Sequence, residues 1–291
     1  MEWERAKTII LIVFVLLNIT LGGLRFADHR RYWMTSEQER NIRIVLDQNN
    51  IQLYTDPIRR FTPMRPIEVR GFYYDEDFLL DLFFDGADVD RWEYDWGLVV
   101  FSSGDGLHLE KSNGFIFFEI YGNAGYSPNM YAVDRGFAQS KTGEFIDRNF
   151  PNFEIDIVFD SYDFYGNHGI RRIYRETYQG MQVYSNFIEF FVTERGITQI
   201  EMQFGQIIGE SQVPPRMIFP PDEVLLTFMQ RFRHIATESP IFINRMDMVY
   251  VKLYHSDEVG FVSPAIPFYR IFIEGSDFPL LINAFTNALM Y

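Results

Sequence analysis

The sequence predicts an α+β protein, an N-terminal transmembrane helix followed by two packed units that are each a helix plus an antiparallel meander. Three observations carry this reading. Residues 8–24, TIILIVFVLLNITLGGL, hold no charge. Short runs rich in Val, Ile, Phe and Tyr recur between Gly and Asn turn residues, as locally connected strands require. Helix signals precede each series of such runs. Local connections of this kind point to an antiparallel sheet with separate helices rather than a parallel α/β sheet.

The 17 uncharged residues, at about 1.5 Å each, span roughly 26 Å, near the lower limit for crossing a bilayer. A cleaved signal peptide has an apolar region of about 7–15 residues. This run is longer, and Leu24, Arg25 and Phe26 directly follow the small residues Thr20 and Gly22 that mimic a cleavage site. The expectation is an uncleaved anchor over 8–24, reaching to about residue 33, behind a tail of residues 1–7, whose cytoplasmic placement waits on the resemblance given below. Arg5 and Lys7 on one flank and Arg25, Arg30 and Arg31 on the other do not orient it by the positive-inside rule.

The first unit spans 36–122. TSEQERNIRIVLDQNN reads as a helix capped by Ser36, with Glu39 completing a capping box and Ile42, Val45 and Leu46 as its apolar stripe. IEVRGFYYD alternates like a strand, EDFLLDLFF is a short apolar helix, and GLVVFSS, GLHLEKSN and GFIFFEIYG are strands. The second unit spans 129–291. PNMYAVDRGFAQSKTGEF has weak helical periodicity, and FEIDIVFDSYDFY, IRRIYRETYQ, QVYSNFIEFFVTE and ITQIEMQFGQII read as four strands. PPDEVLLTFMQRFRHIA is a helix with Pro221, Asp222 and Glu223 in its first turn. MDMVYVKLYH, AIPFYRIFIEG and FPLLINAFTNALMY close the chain as three more strands.

The totals exclude several functions. With 26 basic and 40 acidic residues the net charge is −14, so the surface repels phosphate backbones and nucleic acid is no partner. There is no Cys, which removes disulfides, thiolate catalysis and cysteine metal sites together. The five His (His29, His108, His168, His234, His255) show no metal-ligand spacing, and neither a Walker loop nor a G-x-S-x-G elbow occurs. In DEDFLLDLFFDGADVDRWEYDWG, the acids Asp85, Asp88, Asp90 and Glu93 fail the calcium-loop pattern and read as a solvated loop. GFIFFEIYG reads as a core strand buried on both faces. No catalytic constellation, cofactor site or metal site emerges, and a non-enzymatic role is expected.

Thr8, Leu11, Val15, Asn18 and Gly22 recur at spacings of three and four and share one helix face. They are the candidate contact surface for a partner helix, where an interhelical bond from Asn18 is worth roughly 0.6–2 kcal/mol. The alternative for Asn18 is a bond to water or to its own helix.

Two ends of the chain resemble the YycI family. MEWERAKTIILIVFVLLNI carries Trp3, Lys7-Thr8-Ile9 and Leu17-Asn18-Ile19. PAIPFYRIFIEGSDFPLLINAFTNALMY carries Pro264, Pro267 and Asn283-Ala284-Phe285-Thr286, and is similar also to YycH. The helix PPDEVLLTF before those strands resembles PepSY-like units. The family's usual Gly after Asn-Ala-Phe-Thr is Asn287 here, a mild change because Asn tolerates the left-handed region. The resemblance implies a bitopic protein in the cytoplasmic membrane, its N-terminus inside and its large domain extracytoplasmic. It also implies partners in the lipid bilayer, a YycH-like protein and a WalK-type sensor histidine kinase of a two-component system for cell-wall metabolism. The alternatives are an envelope-anchored carbohydrate-binding or hydrolase domain and a PepSY-type peptidase inhibitor.

Overall fold

The computed structural model describes residues 3, 7, 10–21, 32–71, 74–95, 97–112, 115–120, 133–149, 155–164, 169–253, 260–276 and 278–290. Residues 10–21 are helical and exposed. Among the described residues no helix is long and apolar enough to cross a membrane. The expected transmembrane helix over 8–24 is corrected accordingly. So are the single-pass topology in the cytoplasmic membrane, with N-terminus inside and extracytoplasmic domain, and the two-component assignment that depended on membrane contact. The absence of charge over 8–24 measures composition, whereas crossing also requires a helix of sufficient length and hydropathy, and no described helix supplies both.

The elements in chain order begin with α1 (Ser36–Gln48), β1 (Ile51–Leu53), β2 (Ile67–Gly71), α2 (Glu76–Phe84), β3 (Val89–Glu93), β4 (Val99–Ser103), β5 (Leu107–Ser112) and β6 (Phe115–Ile120). Next come α3 (Arg135–Asn149), β7 (Ile157–Phe164), β8 (Ile170–Tyr178), β9 (Met181–Thr193), β10 (Gly196–Gln203) and β11 (Gly205–Glu210). The last are α4 (Pro221–Ala236), β12 (Ile241–Lys252), β13 (Val262–Ile273), β14 (Leu280–Asn283) and β15 (Leu289–Met290).

All 15 strands belong to one sheet, with the path β11-β2-β13-β12-β9-β10-β6-β5-β4-β3 and β8 and β7 branching from β9. The sheet is mixed: β1 runs parallel to β12, and β12 parallel to β9. This replaces the expected pair of antiparallel meanders. Turn residues report only hairpins between consecutive strands, whereas β1 and β12 are joined across most of the chain. ITQIEMQFGQII is two strands, β10 beside β6 and β11 beside β2. Gly205 marks the break, because a Cβ there would lie 2.4 Å from Val69 Cγ1 and 3.0 Å from the Arg70 carbonyl. The acidic stretch expected as a loop contains β3, antiparallel to β4, with most of its residues exposed at the sheet edge.

Two units divide the chain: Met1–Met64, Arg216–Asp247 and Tyr269–Tyr291 form the first, Arg65–Pro215 and Met248–Phe268 the second. In the first, α1 is capped one residue earlier than predicted. The Thr35 hydroxyl accepts from the Gln38 N–H at 3.2 Å and the Gln38 side chain accepts from the Thr35 N–H at 2.9 Å. Pro221 occupies the first turn of α4, and Val224, Leu225 and Phe228 are buried. Asn287 takes φ 56° in the turn between β14 and β15, so the position that favours Gly is met by the residue type that best tolerates it.

In the second unit one apolar cluster joins α2 (Leu79, Phe83, Phe84) to Phe101, Leu109, Ile116 and Phe118 of β4–β6 and to Ile188 and Phe190 of β9. The rings of Phe83 and Phe118 stack at 4.5 Å, and Phe145 of α3 meets Phe190 edge-on at 5.3 Å. In β6, Ile116 and Phe118 are buried while Phe115 and Phe117 are only half-buried, so the strand buries one face fully rather than two. This core fixes α3 and β8, which together with β7 shape the groove described next.

Candidate functional site: a groove beside α3

Helix α3 has weak amphipathicity because small residues make its contact. Ala138 and Thr142 are its buried positions, which lets the backbone lie close to the sheet. Asp134 opens it, its carboxylate accepting from the Phe137 N–H at 3.2 Å. The flank left outside this contact faces β7 and β8 across a groove of roughly 660 Å³, a size that suits a small organic ligand. Its helix side is formed by Arg135, Gln139, Ser140, Gly143, Glu144 and Asp147, and its sheet side by Phe159, Tyr162, Arg172 and Tyr174.

The sheet side depends on a bulge. Phe159 and Tyr162 are three residues apart, so a regular strand would point them to opposite faces. The register between β7 and β8 shifts between Phe159 and Ser161, and the extra residue returns both rings to the groove side. There Phe159 stacks near Tyr162 at 6.4 Å and meets Tyr174 edge-on at 5.7 Å. The guanidinium of Arg135 lies 4.4 Å from the Tyr162 ring centre and 5.1 Å from that of Phe164. That of Arg172 lies 4.5 Å from Phe159 and 5.6 Å from Tyr174.

Arg172 is the anomalous member. Among the described residues three arginines are buried: Arg172 at 6% exposure, Arg175 at 7% and Arg270 at 1%. Arg175 meets Asp160 at 2.8 Å, and Arg270 grips Asp247 with two bonds of 2.7 and 2.9 Å. Arg172 has no carboxylate within ion-pair distance among the described residues. Its Nε and Nη2 donate to the Tyr174 hydroxyl at 3.3 and 3.2 Å, and its Nη1 has no hydrogen-bond partner there. A buried charge is ordinarily paired, because removing it from water costs several kcal/mol.

The hydroxyl that receives Arg172 is itself fixed by α3. Thr142 gives its one proton to the Ala138 carbonyl at 2.9 Å, so in the 2.7 Å contact with Tyr174 it accepts. Tyr174 therefore donates to Thr142 and turns its lone pairs toward Arg172. On the helix side, Ser140 donates to Glu144 at 2.8 Å and Lys141 donates to it at 3.0 Å. These bonds, that of Lys141 foremost, hold the Glu144 carboxyl below the usual carboxylate range. Gly143 leaves the middle of the helix side open, since a Cβ there would meet nothing within 4 Å.

The sequence-predicted contact face lies elsewhere. Leu11, Val15 and Asn18 share an exposed face of the helical run 10–21, while Thr8 and Gly22 lie outside the described residues. Asn18 donates to the Phe14 carbonyl of its own helix at 2.8 Å, the alternative that the sequence left open. Sequence reasoning did not find Arg172. The signal was three arginines set among apolar residues in IRRIYRETY, a strand pattern in which any inward-facing charge needs a partner.

No family model matches the chain, and no curated protein does. The resemblance to the YycI family thus rests on the two chain ends alone. Among solved structures, an uncharacterized protein from Eubacterium rectale is similar, with a TM-score of 0.52 and 9% identity over 83% of this chain and 90% of that one. At such identity the likeness concerns the fold.

Proposed function

We infer that this chain is a non-enzymatic binding protein that takes a small organic anion into the groove between α3 and β7–β8. One observation carries the reading: Arg172 is buried beside the groove without a carboxylate among the described residues. An incoming carboxylate supplies the missing countercharge, and Nη1 is the donor left for it. The aromatic wall of Phe159, Tyr162 and Tyr174 favours a ligand with an apolar or ring-bearing body. The polar groups on the helix side support a reading of capture without conversion. The described lining contains no histidine, and the one hydroxyl on the helix side, Ser140, is bonded to Glu144, whose lowered pKa makes it a weak base.

The test is thermal unfolding with millimolar 3-phenylpropionate against its neutral amide, 3-phenylpropanamide. A ligand that binds only the folded chain raises Tm in proportion to its occupancy. The acid should raise Tm, the amide should not, and Arg172→Met should abolish the difference. Equal effects of acid and amide, or a response that survives Arg172→Met, would remove the reading.

A further inference from the structure

We propose that the ligand is a zwitterion, an ammonium and a carboxylate on an apolar or aromatic body, as in a free amino acid or a short peptide. This rests on the anion site at Arg172 and adds a second pole. Asp147 lines the same groove in the last turn of α3, is exposed, and makes no hydrogen bond or ion pair among the described residues. Its neighbour Glu144 is already engaged by Lys141 and Ser140, so Asp147 is the acid free to receive a cation. The C-terminal end of a helix adds partial negative charge at the same place.

The whole-molecule field points the same way. A chain of net charge −14 repels any ligand that carries net negative charge, and the more so the higher that charge. A zwitterion escapes this repulsion, yet still offers Arg172 its carboxylate. Polyphosphates and dicarboxylates meet it in full. Gly143, one turn before Asp147, keeps the helix wall of the groove clear at its own position. A helix interior otherwise disfavours Gly by about 1 kcal/mol relative to Ala, and the empty space above it is the room that a ligand body occupies.

The experiment is isothermal titration calorimetry on the full chain with four probes: phenylalanine, N-acetylphenylalanine, 3-phenylpropionate and the dipeptide Phe-Phe. Each is titrated into the unsubstituted protein and into Asp147→Asn. Asp147 is exposed and makes no hydrogen bond or ion pair among the described residues, so this substitution leaves folding intact. The better of phenylalanine and Phe-Phe should bind at least tenfold tighter than N-acetylphenylalanine, and Asp147→Asn should erase that advantage without weakening 3-phenylpropionate. Whichever of the two uncharged-overall probes is tighter assigns the source, amino acid or peptide. If 3-phenylpropionate binds and the ammonium adds nothing, or if the advantage survives Asp147→Asn, the zwitterion proposal fails while the anion site stands. If no carboxylate binds at millimolar concentration, both fail.

Discussion

Arg172→Met and Arg175→Met remove the same guanidinium from neighbouring positions on one strand, and the account gives them opposite consequences. Arg172→Met forfeits two long bonds to the Tyr174 hydroxyl, of 3.3 and 3.2 Å, and two ring contacts. Bonds of that kind contribute about 0.5–1.5 kcal/mol each and the ring contacts about 0.5–1 kcal/mol each. Against this, the substitution relieves a buried cation of a desolvation cost of several kcal/mol that no carboxylate among the described residues offsets. The net change should fall within about 1 kcal/mol of zero. Arg175→Met instead takes away the guanidinium that meets Asp160 at 2.8 Å, with Asp160 only 6% exposed. Breaking a buried pair from one side costs about 3–5 kcal/mol. Guanidinium chloride unfolding followed by circular dichroism and tryptophan fluorescence reads both. A loss in Arg172→Met as large as that in Arg175→Met would make Arg172 a structural residue and refute the reasoning.

Other consequences follow from the same geometry. Burial, more than any other cause, pushes the Glu176 carboxyl up to about 7 from 4.5, with the Asn186 amide opposing and the Asp156 charge assisting. The folded state then holds a proton that the unfolded chain releases, so this contribution is complete below pH 4.5 and is lost as pH rises through about 7. At about 1.4 kcal/mol per pH unit it amounts to at most about 3 kcal/mol. Glu176→Gln should flatten the decline between pH 5 and 7 and raise the unfolding midpoint at pH 8; an unchanged slope would show that another group titrates. Gly143→Ala should stabilise α3 by about 0.5–1 kcal/mol, since its Cβ meets nothing within 4 Å. Gly143→Leu should keep the fold and block the groove, which calorimetry with 3-phenylpropionate reads as lost binding.

How far the sequence reaches depends on how local the cause is. The helix α4 was legible because Pro221, Asp222 and Glu223 are start signals and Val224, Leu225 and Phe228 recur at helical spacing. The hairpin strands β4, β5 and β6 were legible from the turn residues between them. The cap of α1 shifted by one residue, because Thr35 and Ser36 are both competent and only the geometry of Gln38 chooses between them. The transmembrane expectation rested on composition, and among the described residues no helix is long and apolar enough to cross a membrane. The parallel pairing of β1 with β12 left no local mark at all. The groove is of this second kind. Its chemistry comes from Arg172 and Tyr174 on β8, a bulge in β7 and the bare flank of α3, and none of the three implies the others. Only the excess of arginine in IRRIYRETY pointed there, and the partner it required was a non-local matter.

The central claim is that the Arg172 guanidinium awaits a carboxylate. Arginine-detected NMR on isotope-labelled protein, with the Nε–H resonances assigned by single substitutions, tests it at the atom concerned. On saturation with 3-phenylpropionate the account predicts a shift of the Arg172 resonance, while those of Arg175 and Arg270, already held by Asp160 and Asp247, stay in place. An unmoved Arg172 resonance in the saturated protein would contradict it.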